Sequence, residues 1–116
     1  MIEDVKKTEG LLSFFSHNSR KIIQFGTKIW EILKFDSSVV VMTAPDEEGA
    51  RNVHCIDENG NKIWTVEEPE GVKGQANAFM NIWLTENKEL WGGAWSGLAH
   101  QIDLETGKIL STKFTK

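Results

Sequence analysis

The chain has 116 residues, 40% of them hydrophobic and 26% charged, which predicts one ordered domain over residues 1–116 and excludes wholesale disorder. Its formal net charge of −4 disfavours nucleic-acid binding through a broad basic surface and suits a basic protein partner. No apolar run is long enough to cross a bilayer, the first residues do not form a secretory signal, and the single cysteine, Cys55, excludes an internal disulfide. We therefore expect a cytoplasmic protein that does not engage membranes.

The amino-terminal part of the chain gives the weakest pattern. Residues 1–10 carry charge without clear periodicity, and we expect a frayed end or a short helical turn there. Residues 11–15 and 20–25 are predicted strands on either side of a turn-like segment. They resemble the last two strands of a four-stranded unit, so residues 10–27 are predicted to form half a unit.

An internal repeat dominates the rest of the chain. The segment at residues 54–64 returns without a gap at residues 100–110, with five of the eleven paired positions identical. Upstream, residues 28–45 pair with residues 78–95 if a short insertion of turn formers and carboxylates is allowed near Pro45.

Each copy of the repeat is predicted to hold four strands joined by short turns. In the first copy the strands are expected at residues 29–35, 39–43, 52–56 and 62–67. In the second they are expected at residues 79–84, 89–94, 98–102 and 108–114.

These elements predict an all-β fold of antiparallel four-stranded meander units, at residues 28–70 and 78–116, which form about half of a β-propeller. The consecutive apolar residues 39–42 are typical of a strand that is covered on both faces. A plain β-sandwich is the alternative. An incomplete ring leaves sheet faces and strand edges that another surface must cover, either a second copy of the chain or a different protein.

Residues 56–64 and 102–110 carry an apolar residue, Asp, a polar turn, Lys and an aliphatic residue, and the second copy has Thr-Gly in its turn. This pattern resembles the quinoprotein-type propeller repeat of enzymes that use pyrroloquinoline quinone and of many binding proteins. The resemblance implies a propeller fold. It does not imply the enzymes' activity, because none of their cofactor-binding residues can be matched here. We therefore expect no bound cofactor.

Catalytic and metal-binding patterns are not found in the sequence. His54 and His100 occupy equivalent places in the two copies, and repetition alone explains them. The glycine-rich stretch at residues 92–97 lacks the Lys of a phosphate-binding loop and is better explained by close packing of strands. We therefore expect a protein that is not an enzyme and holds no metal.

Carboxylates are concentrated in the connection between the second and third strands of the first unit and in the linker to the next unit, which emerge at the same end of the sheet. We expect them to form an acidic rim that binds a basic partner, although a solvated acidic loop is the alternative. Trp95 ends a strand before a polar turn and is predicted to be an exposed interface anchor. The predicted rim residues are Asp46, Glu47, Glu48, Glu67, Glu68 and Glu70.

An acidic rim without a catalytic constellation favours a non-enzymatic protein-binding module. A bacterial immunity or inhibitor protein that neutralises a basic toxin, such as a nuclease, has this profile. One alternative is a ligand-binding or enzymatic propeller completed by homodimerisation. Another is a scaffold subunit of a larger complex.

Overall fold

The protein, described by a computed structural model over residues 1–45, 51–69 and 78–114, is built from β-strands. These ranges hold eleven strands and no helix, so none of the described residues forms a helix that could cross a membrane. The strands are β1 (Glu3–Thr8), β2 (Leu11–Ser16), β3 (Ser19–Gln24), β4 (Ile29–Lys34), β5 (Ser38–Thr43), β6 (Val53–Asp57), β7 (Lys62–Thr65), β8 (Phe79–Leu84), β9 (Leu90–Ala94), β10 (Leu98–Ile102) and β11 (Ile109–Phe114).

The strands form three antiparallel sheets, each made of strands that are consecutive in the chain. The first sheet has the order β1-β2-β3, the second β4-β5-β6-β7, and the third β8-β9-β10-β11. The predicted fold class is confirmed: the second and third sheets are the expected four-stranded meanders, stacked as in part of a propeller.

The first sheet contains one strand more than the sequence predicted. The expectation of a frayed end or helical turn over residues 1–10 is wrong, because β1 pairs with β2 in this segment. The preceding Ile2 is fully buried, and its amide donates to the carbonyl of Asp36 at 2.8 Å. The strand was not predicted because its side chains are mostly charged and show no apolar alternation. Such side chains are tolerated there because β1 lies at a sheet edge, where only Val5 is partly buried.

The predicted strand pair at residues 11–25 forms β2 and β3, and β3 lies against the second sheet. A Cβ atom added to Gly60, in the β6–β7 turn, would lie 3.5 Å from Cβ of Lys21 in β3. In the same way Gly107, in the β10–β11 turn, lies against the ring of Trp64 in β7. The strand β3 therefore contacts a turn of the second sheet in the way that β7 contacts a turn of the third. By this contact, β2 and β3 correspond to β6 and β7, the last two strands of the second sheet.

The second sheet is buried between the other two. Its central strand β5 sends Val39 and Val41 into the core shared with the first sheet, and Val40 and Met42 into the core shared with the third. This arrangement confirms the prediction that residues 39–42 are covered on both faces. The first core also contains Ile2, Leu12, Phe14, Phe25, Ile29 and Ile56; the second contains Val53, Cys55, Trp64, Val66, Phe79, Ile82, Leu90 and Ile102.

A buried amide side chain joins the second sheet to the third. Nδ2 of Asn52 donates to the carbonyls of Thr43, at 2.8 Å, and Phe79, at 2.9 Å. Its Oδ1 accepts the amide of Phe79 at 2.9 Å. Between β4 and β8, which are edge strands of these two sheets, the amide of Ile82 donates to Oε1 of Glu31 at 3.2 Å. The two sheets are therefore held together by directional bonds as well as by apolar contact.

The turns that close the two repeated hairpins differ in length by one residue. In the second sheet the amide of Asp57 donates to the carbonyl of Asn61. In the third sheet the equivalent Asp103 donates to Lys108, one residue further along the chain. The ungapped repeat of the sequence is therefore interrupted in the structure.

This difference shifts the last strand of the repeat by one position. Lys62 pairs with Ile56 in the second sheet, whereas Ile109 takes the same place opposite Ile102 in the third. A one-residue shift exchanges the two faces of a strand, so Ile63 corresponds to Leu110 rather than to Ile109. Both are exposed, at 50% and 57%.

Candidate functional site

The predicted acidic rim is only partly within the described residues. Asp46, Glu47, Glu48 and Glu70 lie outside them. Glu67 and Glu68 follow β7, at the point where the chain leaves the second sheet towards the third. Their surroundings can therefore be described in atomic detail.

Glu67 is bonded to the third sheet on both its backbone and its side chain. Its amide donates to the carbonyl of Gly107 at 2.9 Å, and its Oε1 accepts the amide of Ile109 at 3.0 Å. One of its carboxylate oxygens thus satisfies a backbone amide of the neighbouring sheet. We assign Glu67 a contribution to joining the sheets, which sequence reasoning did not anticipate.

Glu68 is half-buried and lies between two grooves on the surface of the described residues. The groove beside β10 and β11, which we call the acidic groove, has a volume of about 370 Å³. A second groove of about 440 Å³ places Glu67 and Glu68 near the basic residues Arg51 and Lys108. The acidic groove is lined by Glu67, Glu68, Pro69, Leu98, His100, Ile109 and Thr112.

His100 lines the acidic groove and is almost completely buried. Its Nδ1 lies 2.8 Å from Oγ1 of Thr112, and its Nε2 has no hydrogen-bond partner among the described residues. Burial lowers the pKa of His100, because the charged ring would lose its hydration. The ring stands edge-on to Phe79, at 5.8 Å between ring centroids.

His54 repeats this arrangement in the second sheet. Its Nδ1 lies 3.0 Å from Oγ1 of Thr65, and its ring centroid is 5.3 Å from that of Phe25. The two histidines thus belong to a recurring histidine–threonine–aromatic contact, as expected from their equivalent places in the repeat. The matching threonines, eleven and twelve residues downstream, were the sequence signal for the contact, and sequence reasoning missed it.

Trp95 is 71% exposed in the connection between β9 and β10, which agrees with the exposure predicted for it. Its amide donates to the carbonyl of Ala78 at 2.9 Å, so the backbone that carries the ring is fixed. The same connection leads into Leu98, a wall of the acidic groove. The exposed indole therefore lies three residues before one wall of the acidic groove, which Glu68 also lines.

Cys55 is fully buried, and its burial raises the pKa of the thiol to about 11. Among residues 1–45, 51–69 and 78–114, no three His, Cys, Asp or Glu side chains are grouped closely enough to hold a metal ion.

Comparisons with known proteins place the chain in a family. Residues 17–114 match the model of a domain of unknown function, DUF7957, and the chain belongs to that family. A search of curated proteins finds no match.

Solved structures that resemble the chain include two computationally designed proteins. Ika8 is 15% identical with a TM-score of 0.58, and the match covers 99% of this chain and 37% of Ika8. Ika4 is 15% identical with a TM-score of 0.57, and the match covers 100% of this chain and 74% of Ika4. The chain thus spans little more than a third of Ika8. At this identity the likeness shows a shared fold alone.

Proposed function

We propose that the protein is a non-enzymatic protein-binding module whose contact surface comprises Trp95, Glu68 and the acidic groove. The exposure of Trp95 carries the proposal. An indole that is 71% exposed on a bonded backbone offers a large apolar contact area at little cost in conformational entropy.

The charge of this surface favours a partner that presents basic side chains. Glu68 is half-buried at the groove, where a Lys or Arg of the partner would be partly shielded from water. The net charge of −4 adds a general attraction for a basic protein. An immunity or inhibitor protein that neutralises a basic toxin, such as a nuclease, is the role that we propose.

Completion of a ring by a second copy is the less supported candidate, because the outer face of the third sheet is partly satisfied within the chain. Nε1 of Trp91 on this face donates to Glu89 at 3.1 Å, and Nζ of Lys113 lies 4.7 Å from a ring centroid of Trp91. Gln101 occupies the place that Cys55 has in the second sheet. The outer face thus carries polar groups beside the indoles of Trp83 and Trp91. Polar groups on an outer face are typical of a capping repeat. In this proposal the likeness to quinoprotein-type repeats concerns architecture only.

Capture of partners from the source cells, followed by reconstitution with the purified partner, tests the proposal. We expect Trp95→Ala and Glu68→Lys each to raise the Kd for the partner roughly tenfold, the effect of losing one anchoring contact. Glu86→Lys is the matched control, because Glu86 is an exposed carboxylate in the turn between β8 and β9. It should leave the Kd within about twofold.

Two results would contradict the proposal. One is that nothing basic is retained by the wild-type protein. The other is retention that neither Trp95→Ala nor Glu68→Lys weakens. Neutralisation of the captured partner's toxicity on co-expression would distinguish an immunity protein from a scaffold subunit.

A further inference from the structure

The outer edge of the third sheet is formed by β11, which pairs with β10 on one side and with no strand of the described residues on the other. Its side chains are mostly exposed, including two large apolar ones: Leu110 at 57% and Phe114 at 72%. The segment from Leu110 to Phe114 contains no Gly, Pro or carboxylate and one charge, that of Lys113. Such an edge is a template for pairing with a further strand.

The edges of the first sheet are protected against pairing. At one edge, β1 is irregular between Glu3 and Lys6, Asp4 has a φ of 54°, and the carbonyl of Asp4 accepts Nη1 of Arg20 at 3.1 Å. At the other edge, β3 carries the adjacent cations Arg20 and Lys21. Irregular backbone and charged side chains are the means by which proteins block edge pairing.

The outer edge of the second sheet is protected in a different way. Its strand β7 has only four residues, and the guanidinium of Arg51 donates hydrogen bonds to backbone carbonyls at its carboxyl end. Nε of Arg51 donates to Val66 at 2.7 Å, and its Nη2 donates to Thr65 at 3.2 Å. Among the outer strands β3, β7 and β11, β11 therefore has neither paired cations nor a bound guanidinium.

We propose that β11 pairs with β11 of a second copy of this chain, antiparallel and across a twofold axis at Thr112. In this register Leu110 of one copy faces Phe114 of the other, and Ser111 faces Lys113. The apolar residues thus meet each other and no like charges are opposed, so the segment is complementary to itself.

Contacts already present in the chain agree with this register. The amide of Ile109 donates to the side chain of Glu67. The part of the edge that can pair with another strand therefore begins at Leu110. Lys113 extends over Trp91 on one face of the sheet, whereas Thr112 turns to His100 on the other. Pairing therefore needs neither of these side-chain contacts to break, and it continues the third sheet into an eight-stranded sheet shared by two copies.

Sedimentation velocity across a range of protein concentrations tests the proposal. We expect a reversible dimer of the wild-type chain. The double variant Leu110→Lys with Phe114→Lys should be monomeric, or raise the dimer Kd by roughly two orders of magnitude, because it opposes like charges twice across the axis. The double variant Leu110→Glu with Phe114→Lys should restore the dimer, because each introduced carboxylate then faces an introduced ammonium of the other copy.

Ile63→Lys is the matched control, because Ile63 is exposed at the corresponding position of β7 and should not affect the dimer. Hydrogen exchange provides a second measurement: amides in β11 should slow with rising concentration of the wild-type protein, and those in β3 should not. A wild-type chain that stays monomeric at high concentration overturns the proposal. A dimer that survives Leu110→Lys with Phe114→Lys, or that Leu110→Glu with Phe114→Lys fails to restore, overturns it equally.

Discussion

Replacement of Asn52 by alanine should markedly destabilise the protein. The change removes three hydrogen bonds of 2.8–2.9 Å between the β5–β6 connection, Thr43 and Phe79. Each bond contributes about 1 kcal/mol net, and the amide and carbonyl of Phe79 would be left buried without a side-chain partner. We therefore expect the free energy of unfolding to fall by about 3 kcal/mol.

Urea unfolding followed by tryptophan fluorescence measures this loss, since Trp64 is buried in the core beside the junction. Asn87→Ala, in the exposed turn between β8 and β9, is the control and should change the free energy by less than about 0.5 kcal/mol. Asn52→Asp should destabilise further at neutral pH, because a carboxylate oxygen would then face the two carbonyls. A loss below about 1 kcal/mol for Asn52→Ala would refute the assignment of this side chain as the link between the sheets.

Three further predictions concern single residues. Gly107→Ala should lower the free energy of unfolding by about 2 kcal/mol, because φ is +79° and the added Cβ would lie 2.7 Å from Cε3 of Trp64; Gly26→Ala, with nothing within 4 Å, is its control in the same urea titration. Burial lowers the pKa of His100, so the unfolded chain binds more protons and stability should fall as pH drops below about 6.5; His100→Gln should flatten this slope in melts from pH 7 to 5. The Cys55 thiol, with its pKa raised to about 11, should react with a disulfide reagent only at the rate of unfolding, and rapid labelling of the native protein would contradict its burial.

The strands of the two repeated units could be predicted from sequence because local signals agreed there. Apolar segments such as Val39–Met42 are separated by turn-forming residues such as Asp36 and Gly60. Each predicted strand of these units is found within two residues of its expected bounds. The exposure of Trp95 followed from its place at a strand end. In these segments propensity, pattern and turn chemistry all indicated the same structure.

Features that depend on contacts between sheets could not be predicted in this way. β1 carries four charged residues among its six, and it is a strand because β2 and the buried Ile2 hold it in place. The one-residue shift at Ile109 arises because the β10–β11 turn is one residue longer than the β6–β7 turn. The sequence does not reveal this difference, because Ile109 aligns without a gap to the identical Ile63. Glu67 looked like one more rim carboxylate, and only the neighbouring sheet gives it the amide of Ile109 to bind.

The central claim is that the second sheet is buried between the other two. Residue-resolved hydrogen exchange of the native protein tests it most directly, recorded at concentrations where the chain is monomeric. The account predicts that the amides of β5, with both faces covered, exchange slowest and only through global unfolding, while those of β3 and β11 exchange faster through local opening. Exchange in β5 as fast as in β3 would contradict the stacked arrangement on which the site and both proposals rest.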